Sequence, residues 1–200
     1  MSYEAALLLE ECDVSVVARQ MRTQWVGRGK RVECLEQVMA DWVNARYAVA
    51  LGSGTAALAA ALETFRRPTV YVMPNVCSAV HAAIKFAGKR ASRSSGLSIS
   101  VYPKQGGTIE DYARHLPQNG EAQLLGRYGV FSFGALKDVT GGLGGCLVSN
   151  KPFPKSIAPW KRISPLSDIN AALILSQLAR YAGHHKIRRV ADGKLWTAPV

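Results

Sequence analysis

Cysteine is sparse in this chain and poorly spaced for chemistry of its own. Cys12, Cys34, Cys77 and Cys146 lie far apart and form no CxxC pair. That spacing argues against a zinc site or a disulfide framework and reads as reduced thiols in a cytosolic protein. Long hydrophobic runs are missing as well. The longest apolar stretches, such as 43–51, are broken by polar residues and fall short of a membrane span. The first residues, Met1-Ser2-Tyr3-Glu4, show neither the basic nor the apolar region of a secretory signal, so none is expected. No internal repeat is visible.

Acidic residues are also few. Against 25 lysines and arginines stand 14 aspartates and glutamates, a formal net charge of +11. Such an excess favours anionic partners: phosphates, nucleotides or nucleic acid. The charge is spread over local clusters, namely Lys85-Lys89-Arg90-Arg93, Lys151-Lys155-Lys161-Arg162 and His184-His185-Lys186-Arg188-Arg189. No helix-turn-helix spacing, zinc finger or aromatic RNA-binding motif accompanies them. Solvated faces therefore come first as a reading, phosphate contacts second and duplex binding last.

What is present is an ordinary globular composition. Hydrophobic residues make up 48% of 200 positions and charged residues 20%, enough for a core and against disorder. One domain, or one with an appendage, fits that length. Apolar periodicity predicts helices over 14–24, 31–44, 55–65, 76–87 and 168–181, and strands over 47–51, 69–73, 97–102, 130–133 and 146–149. Asp13 is a candidate cap for the first helix. Residues 89–96 and 103–107 read as loop and turn, and 151–165 as an irregular, proline-rich connector. Strands alternating with helices imply a mainly parallel sheet covered by helices, an α/β fold.

Three constellations carry chemistry. The first is Gly129-Val130-Phe131-Ser132-Phe133-Gly134-Ala135-Leu136-Lys137-Asp138, closed by Gly141-Gly142-Leu143-Gly144-Gly145. It sets one lysine between a short apolar strand and a glycine-rich loop. A partly desolvated lysine amine is a nucleophile able to form a Schiff base with the aldehyde of pyridoxal phosphate. The plainer reading is an exposed lysine on a flexible loop. Ser132, five residues earlier, is placed to bind that cofactor's phosphate. The second is Gly52-Ser53-Gly54-Thr55, between an apolar strand and a helix. A helix N-terminus offers free N–H groups and a positive dipole to a phosphate, although Gly-Ser-Gly also makes a simple turn and cap. The third is Asp111. A carboxylate is needed beside the pyridine nitrogen to keep it protonated.

At these residues the chain resembles the DegT/StrS family of pyridoxal-phosphate-dependent nucleotide-sugar aminotransferases. The resemblance runs through Trp25 to Gly29 with Glu33 and Glu36, then 47–58, 72–88 and 129–145. It is weaker at Ala171-Ala172-Leu173 with Gln177-Leu178. It implies an aspartate-aminotransferase-like, type I PLP large domain. The arrangement expected is an N-terminal helical arm over 1–24, a PLP-binding core over 25–150, and a connector, helix and basic tail over 151–200. The stretch between Gly88 and Val130 is short for the family, and its C-terminal small domain is missing.

By the same resemblance Lys137 is the Schiff-base lysine, and Gly54, Thr55 and Ser132 hold the phosphate. Cys77 stands where a residue packs on the cofactor ring; otherwise it is a core thiol. Asp111 has two registers. In one, Ile109-Glu110-Asp111 ends a strand and presents the cofactor aspartate. In the other, 108–116 is a surface helix capped by Thr108, and the aspartate is lost; His115 then becomes an exposed helix residue. Ahead of the last helix the family's asparagine is absent, and Arg162 is a partial match for its arginine. The implied activity moves an amino group, from glutamate, to a keto sugar on a nucleotide. The expected partners are nucleotide-sugar and amino-acid donor, with a homodimer or a complementing chain. The alternatives are a degenerate relative that binds cofactor without turnover or acts as a partner or regulator, and an anion-binding module with a decayed site.

Overall fold

A computed structural model of the chain describes residues 9–101, 106–183, 188–191 and 194–197. The start of the chain, the turn at Pro103-Lys104-Gln105 and the His184-His185-Lys186 cluster lie outside the described residues. Helices α1 (Glu11–Arg22), α2 (Lys30–Trp42), α3 (Gly54–Glu63), α4 (Ser78–Phe86), α5 (Trp160–Ile163) and α6 (Asp168–Gly183) surround the strands. These are β1 (Tyr47–Leu51), β2 (Thr69–Tyr71), β3 (Arg90–Ser92), β4 (Leu97–Val101), β5 (Ile109–Asp111), β6 (Tyr128–Ser132) and β7 (Gly145–Ser149). A separate two-stranded ribbon joins β8 (Arg188–Ala191) to β9 (Lys194–Thr197). No described helix is long and apolar enough to cross a membrane.

The seven strands form one sheet in the order β1-β7-β6-β5-β4-β2-β3. Neighbours from β3 to β6 pair in parallel, and β7 runs antiparallel to both β6 and β1. The expected mainly parallel sheet is therefore mixed at one edge. Short β3 occupies the segment read as a loop, because three residues on a sheet margin give too little apolar alternation to register.

Alternate side chains of each central strand enter opposite cores. Phe131, Cys146 and Val148 join α2 and α6 through Leu35, Met39, Ile174 and Leu178. Val130, Tyr128 and Leu147 join α3 and α4 through Leu58, Leu62 and Ile84. Both faces are covered, which is why β6 and β7 read as continuous apolar runs. Four buried alanines, Ala57 and Ala59 to Ala61, let α3 lie close to the sheet. Cys146 is buried there, and burial pushes its thiol up, away from reactivity.

Helix α1 begins earlier than its periodicity indicates. Glu10 is its N-cap, and Asp13 is the N3 partner in a reciprocal capping box rather than the cap. Asp13 also pairs with Arg180, tying α1 to α6. Helix α2 has a glycine N-cap with no side chain to offer. Asp168, at the start of α6, supplies the missing acceptor: its Oδ1 takes the N–H of Gly29 at 2.9 Å and of Val32 at 3.0 Å. Asp168→Ala leaves two buried donors unpaired and should cost about 2 kcal/mol. Thermal denaturation checks this, with Asp168→Asn expected to lose less because it keeps one acceptor oxygen.

Candidate active site

Because β1 and β6 both oppose β7, they run in the same direction as β5, β4 and β2. The carboxyl ends of β1, β5 and β6 thus meet along one edge of the sheet, the usual place for ligands in open α/β sheets. Each end carries a residue of the expected constellations. Strand β1 leads into Gly52-Ser53-Gly54, β5 ends on Asp111, and β6 ends on Ser132.

The glycine turn and Ser132 are in contact. A Cβ placed on Gly54 would stand 2.7 Å from Ser132 Cβ and 3.0 Å from its Oγ. Only a residue without a side chain allows that approach. Ser53 caps α3, its Oγ accepting the Ala56 N–H at 3.1 Å. Thr55 follows as the second residue of the helix and is half-buried. The N-terminus of α3 and Ser132 therefore lie side by side at this edge, with Thr55 in the first turn, and a helix N-terminus of this kind suits an oxyanion. From below, β7 holds this corner of the sheet: Gly145 lies directly against the Ser53–Gly54 peptide.

Asp111 lies at the end of a strand, which decides between its two registers. Residues 109–111 pair in parallel with both β4 and β6, and 112–118 carry no helix. The reading of 108–116 as a surface helix is overturned. The approach to β5 is glycine-rich, which is unusual before a buried strand. The structure shows why it succeeds: Ser100 Oγ and Ser98 Oγ accept the N–H groups of Gly107 and Thr108 at 3.2 Å and 3.0 Å. Asp111 is buried, and its Oδ1 accepts the Ala113 N–H at 2.8 Å. Burial pushes its carboxyl above the usual carboxylate range; the Ala113 N–H and the Lys137 charge act in the opposite direction.

That shift has a stability consequence. The folded-state pKa lies above the unfolded value, so folding favours the protonated acid. Its contribution is full at low pH and is lost as pH rises through the raised pKa. Asp111→Asn should therefore melt higher than wild type at neutral pH, by about 0.5–2 kcal/mol. The advantage should vanish below the ordinary carboxylate range. Thermal scans of the ligand-free protein at two pH values check this, and equal shifts at both contradict it.

Lys137 sits in the loop joining β6 to β7. It is half-buried and not the exposed lysine of the plainer reading. It lines a pocket with Ser132, Phe133, Tyr112, Ala113, Arg114, His115 and Asp138. The loop is held at its far end by α6: Gln177 Oε1 accepts the Thr140 N–H at 2.8 Å, and Asn170 Nδ2 donates to the Gly141 carbonyl at 2.7 Å. His115 is not on a helix. Its Nδ1 faces Asp138 Oδ2 at 3.0 Å.

Lys137, Ser132, Gly54, Thr55 and Asp111 are thus brought to one edge. Cys77 is not among the residues lining the lysine pocket. It is exposed at the N-cap of α4, on the same edge beyond β2, and is not a core thiol. Arg162 is exposed on short α5. Sequence reasoning gave no individual role to Asp138, Gly145 and Gln177 and did not single out Asn170. A carboxylate directly after the lysine was the available signal for the first. Among the described residues no cluster of His, Cys, Asp and Glu is arranged to hold a metal ion.

Residues 8–90 match the model of the DegT/DnrJ/EryC1/StrS aminotransferase family. Comparison with curated protein sequences gives no match. Among solved structures the chain is similar to Helicobacter pylori PseC, an aminotransferase involved in the biosynthesis of pseudoaminic acid. The TM-score is 0.77 at 19% identity, over 90% of this chain and 65% of that one. It is also similar to a putative sugar aminotransferase from Streptococcus pneumoniae in its PLP form, with TM-score 0.74 and 17% identity, covering 92% and 67% of the two chains. A third is DesI in the presence of its TDP-sugar product, with TM-score 0.69 and 19% identity over 86% and 58%. Residues 8–90, under half of the chain, thus match the model of that aminotransferase family, and the described residues share the fold of these solved structures.

Proposed function

We propose that this chain is a pyridoxal-phosphate-dependent aminotransferase that moves an amino group from glutamate to a keto sugar carried on a nucleotide. One observation carries the reading. An oxyanion corner (Gly54, Thr55, Ser132), a lysine amine and a buried carboxylate converge at the carboxyl edge of a type I PLP sheet. The residues fit the cofactor at both its ends. The Gly54 cradle would be filled by a single Cβ. The desolvated Asp111 calls for a cationic partner, which a protonated pyridine nitrogen provides.

When bound, pyridoxal phosphate supplies an electron sink for the carbon that loses its proton. The protein does the rest. Lys137 would hold the cofactor through its amine, and the same amine is the group that would move the proton at the substrate carbon. Asp111 holds the ring nitrogen protonated. Ser132 and Thr55 hydroxyls, with the α3 N-terminus, hold the phosphate. The net charge of +11 draws the substrate diphosphate toward the site. The presence of a TDP-sugar in the DesI structure supports that substrate class.

The reading extends to a cytoplasmic protein in which 1–24 is an arm, 25–150 the cofactor-binding core and 151–200 a connector with a basic tail. It acts as a homodimer or with a complementing chain. The chain spans 65% of the length of PseC; the second reading is a relative that binds cofactor without turnover. Adding pyridoxal phosphate and then glutamate to the purified protein separates the two. A visible band that shifts with glutamate supports the enzyme; a band indifferent to every amino donor supports the binder. No band at all contradicts both.

A further inference from the structure

We infer that Asp138 and His115 form a positioning pair that holds the Lys137 amine available to the cofactor. The inference rests on the reading of Lys137 as the cofactor-binding amine. Asp138 follows Lys137 directly in the chain, so any shift of its backbone is passed to the lysine. Its Oδ2 accepts two hydrogen bonds, from His115 Nδ1 and from the Leu116 N–H, both at 3.0 Å. The side chain is only 11% exposed, and that of His115 27%.

The post to which Asp138 is tied is rigid. The Leu116 carbonyl accepts the Tyr181 hydroxyl at 2.5 Å, and the next carbonyl, of Pro117, accepts the Trp42 indole N–H at 2.8 Å. The same segment starts at Asp111, whose Oδ1 accepts the Ala113 N–H. Asp138 therefore links the loop bearing the amine to the loop bearing the buried carboxylate. On its own side Lys137 has a single turn bond, from its N–H to the Gly134 carbonyl at 3.1 Å. Ala135 and Leu136 before it are exposed.

Charge makes the pair more than a strut. Asp138 shares the pocket with the Lys137 amine, so without its present partners its carboxylate is free to compete for that amine with Asp111, the carboxylate whose charge already acts with it. An Asp138–Lys137 pair would keep the amine protonated and turned from the cofactor aldehyde. The bonds from His115 and Leu116 occupy the carboxylate instead. Removing the imidazole frees Asp138 to capture the lysine, whereas removing both the imidazole and the carboxylate charge does not.

Competitive acetylation of the ligand-free protein with acetic anhydride tests this, reading Lys137 against Lys151 by peptide mass spectrometry. His115→Ala should slow labelling of Lys137 about tenfold as the amine is drawn into an ion pair. The double variant His115→Ala/Asp138→Asn should regain the wild-type ratio. Affinity for pyridoxal phosphate should fall and recover in the same pattern. A strut alone predicts the opposite for the double variant, a further loss. Wild-type labelling in folded His115→Ala, or no recovery in the double variant, overturns the pair's role. Should His115→Ala not fold, His115→Leu, which fills similar space without a donor, gives the same readout. Retention of covalent cofactor by Lys137→Ala would overturn the reading of the site itself, and the pair with it.

Discussion

Replacing Lys137 by alanine is expected to abolish covalent attachment of pyridoxal phosphate and to cut transamination at least about a thousandfold. The size of the effect follows from two jobs falling on one amine: bonding the aldehyde, then moving the proton at the substrate carbon. Among the described residues no other lysine lines the pocket between the ends of β5 and β6. The fold should not suffer. Lys137 is half-buried in a turn, its backbone N–H bonds Gly134, and the loop's anchors are Val139, Thr140 and Gly141. Stability should stay within about 0.5 kcal/mol of wild type. Lys137→Arg keeps the positive charge near Asp111 but cannot make the bond, so it separates electrostatics from covalent chemistry. Absorption spectra and steady-state rates of the two variants check both halves. Retained colour with Lys137→Ala would mean another amine does the work.

A methyl group at Gly145 is expected to damage both fold and site. Its Cβ would lie 2.3 Å from the Ser53 carbonyl carbon and 2.4 Å from the Gly54 nitrogen and the Ser53 oxygen. These are backbone atoms, so no side chain can rotate out of the way. Gly145 pairs with Leu51 on one side and Ser132 on the other. Either β7 moves from its partners or the Ser53–Gly54 turn lifts away from Ser132. Overpacking of this kind costs about 3 kcal/mol, or a fall in melting temperature of roughly 6–12 °C. Phosphate affinity should fall with it, because the turn that lifts is the oxyanion corner. Gly142→Ala is the control. Gly142 has φ +73° but open space around its Cβ, so only backbone strain of about 1 kcal/mol is expected. Calorimetry of the two variants, with phosphate binding by titration, decides; similar losses at both positions would contradict the packing argument.

Much of this was legible in the sequence because local signals agreed with the final fold. Tyr47 to Leu51 is an apolar run closed by Gly52, and it is a strand over the same residues. Asp168 to Tyr181 carries a helical stripe, and the helix begins at Asp168. Lys137 stood out because a short strand and a glycine-rich loop bracket it, and both are there. What was hidden depends on residues far apart in the chain. Strand β5 has three residues, and serine hydroxyls from β4 support the glycines before it, so no local alternation announces it. The antiparallel direction of β7 is decided by its pairing with β1 across some hundred residues. Asp168 looks like the opening of its own helix, yet it caps another more than a hundred residues away. Gly145 looked like one more loop glycine. Its necessity appears only when the Ser53–Gly54 turn is laid against it.

The central claim is that Lys137 is the amine that holds pyridoxal phosphate. Borohydride reduction of the cofactor-loaded protein, followed by peptide mass mapping, tests it most directly. The account predicts one phosphopyridoxyl adduct, on Lys137. An adduct on another lysine, or none, would contradict it.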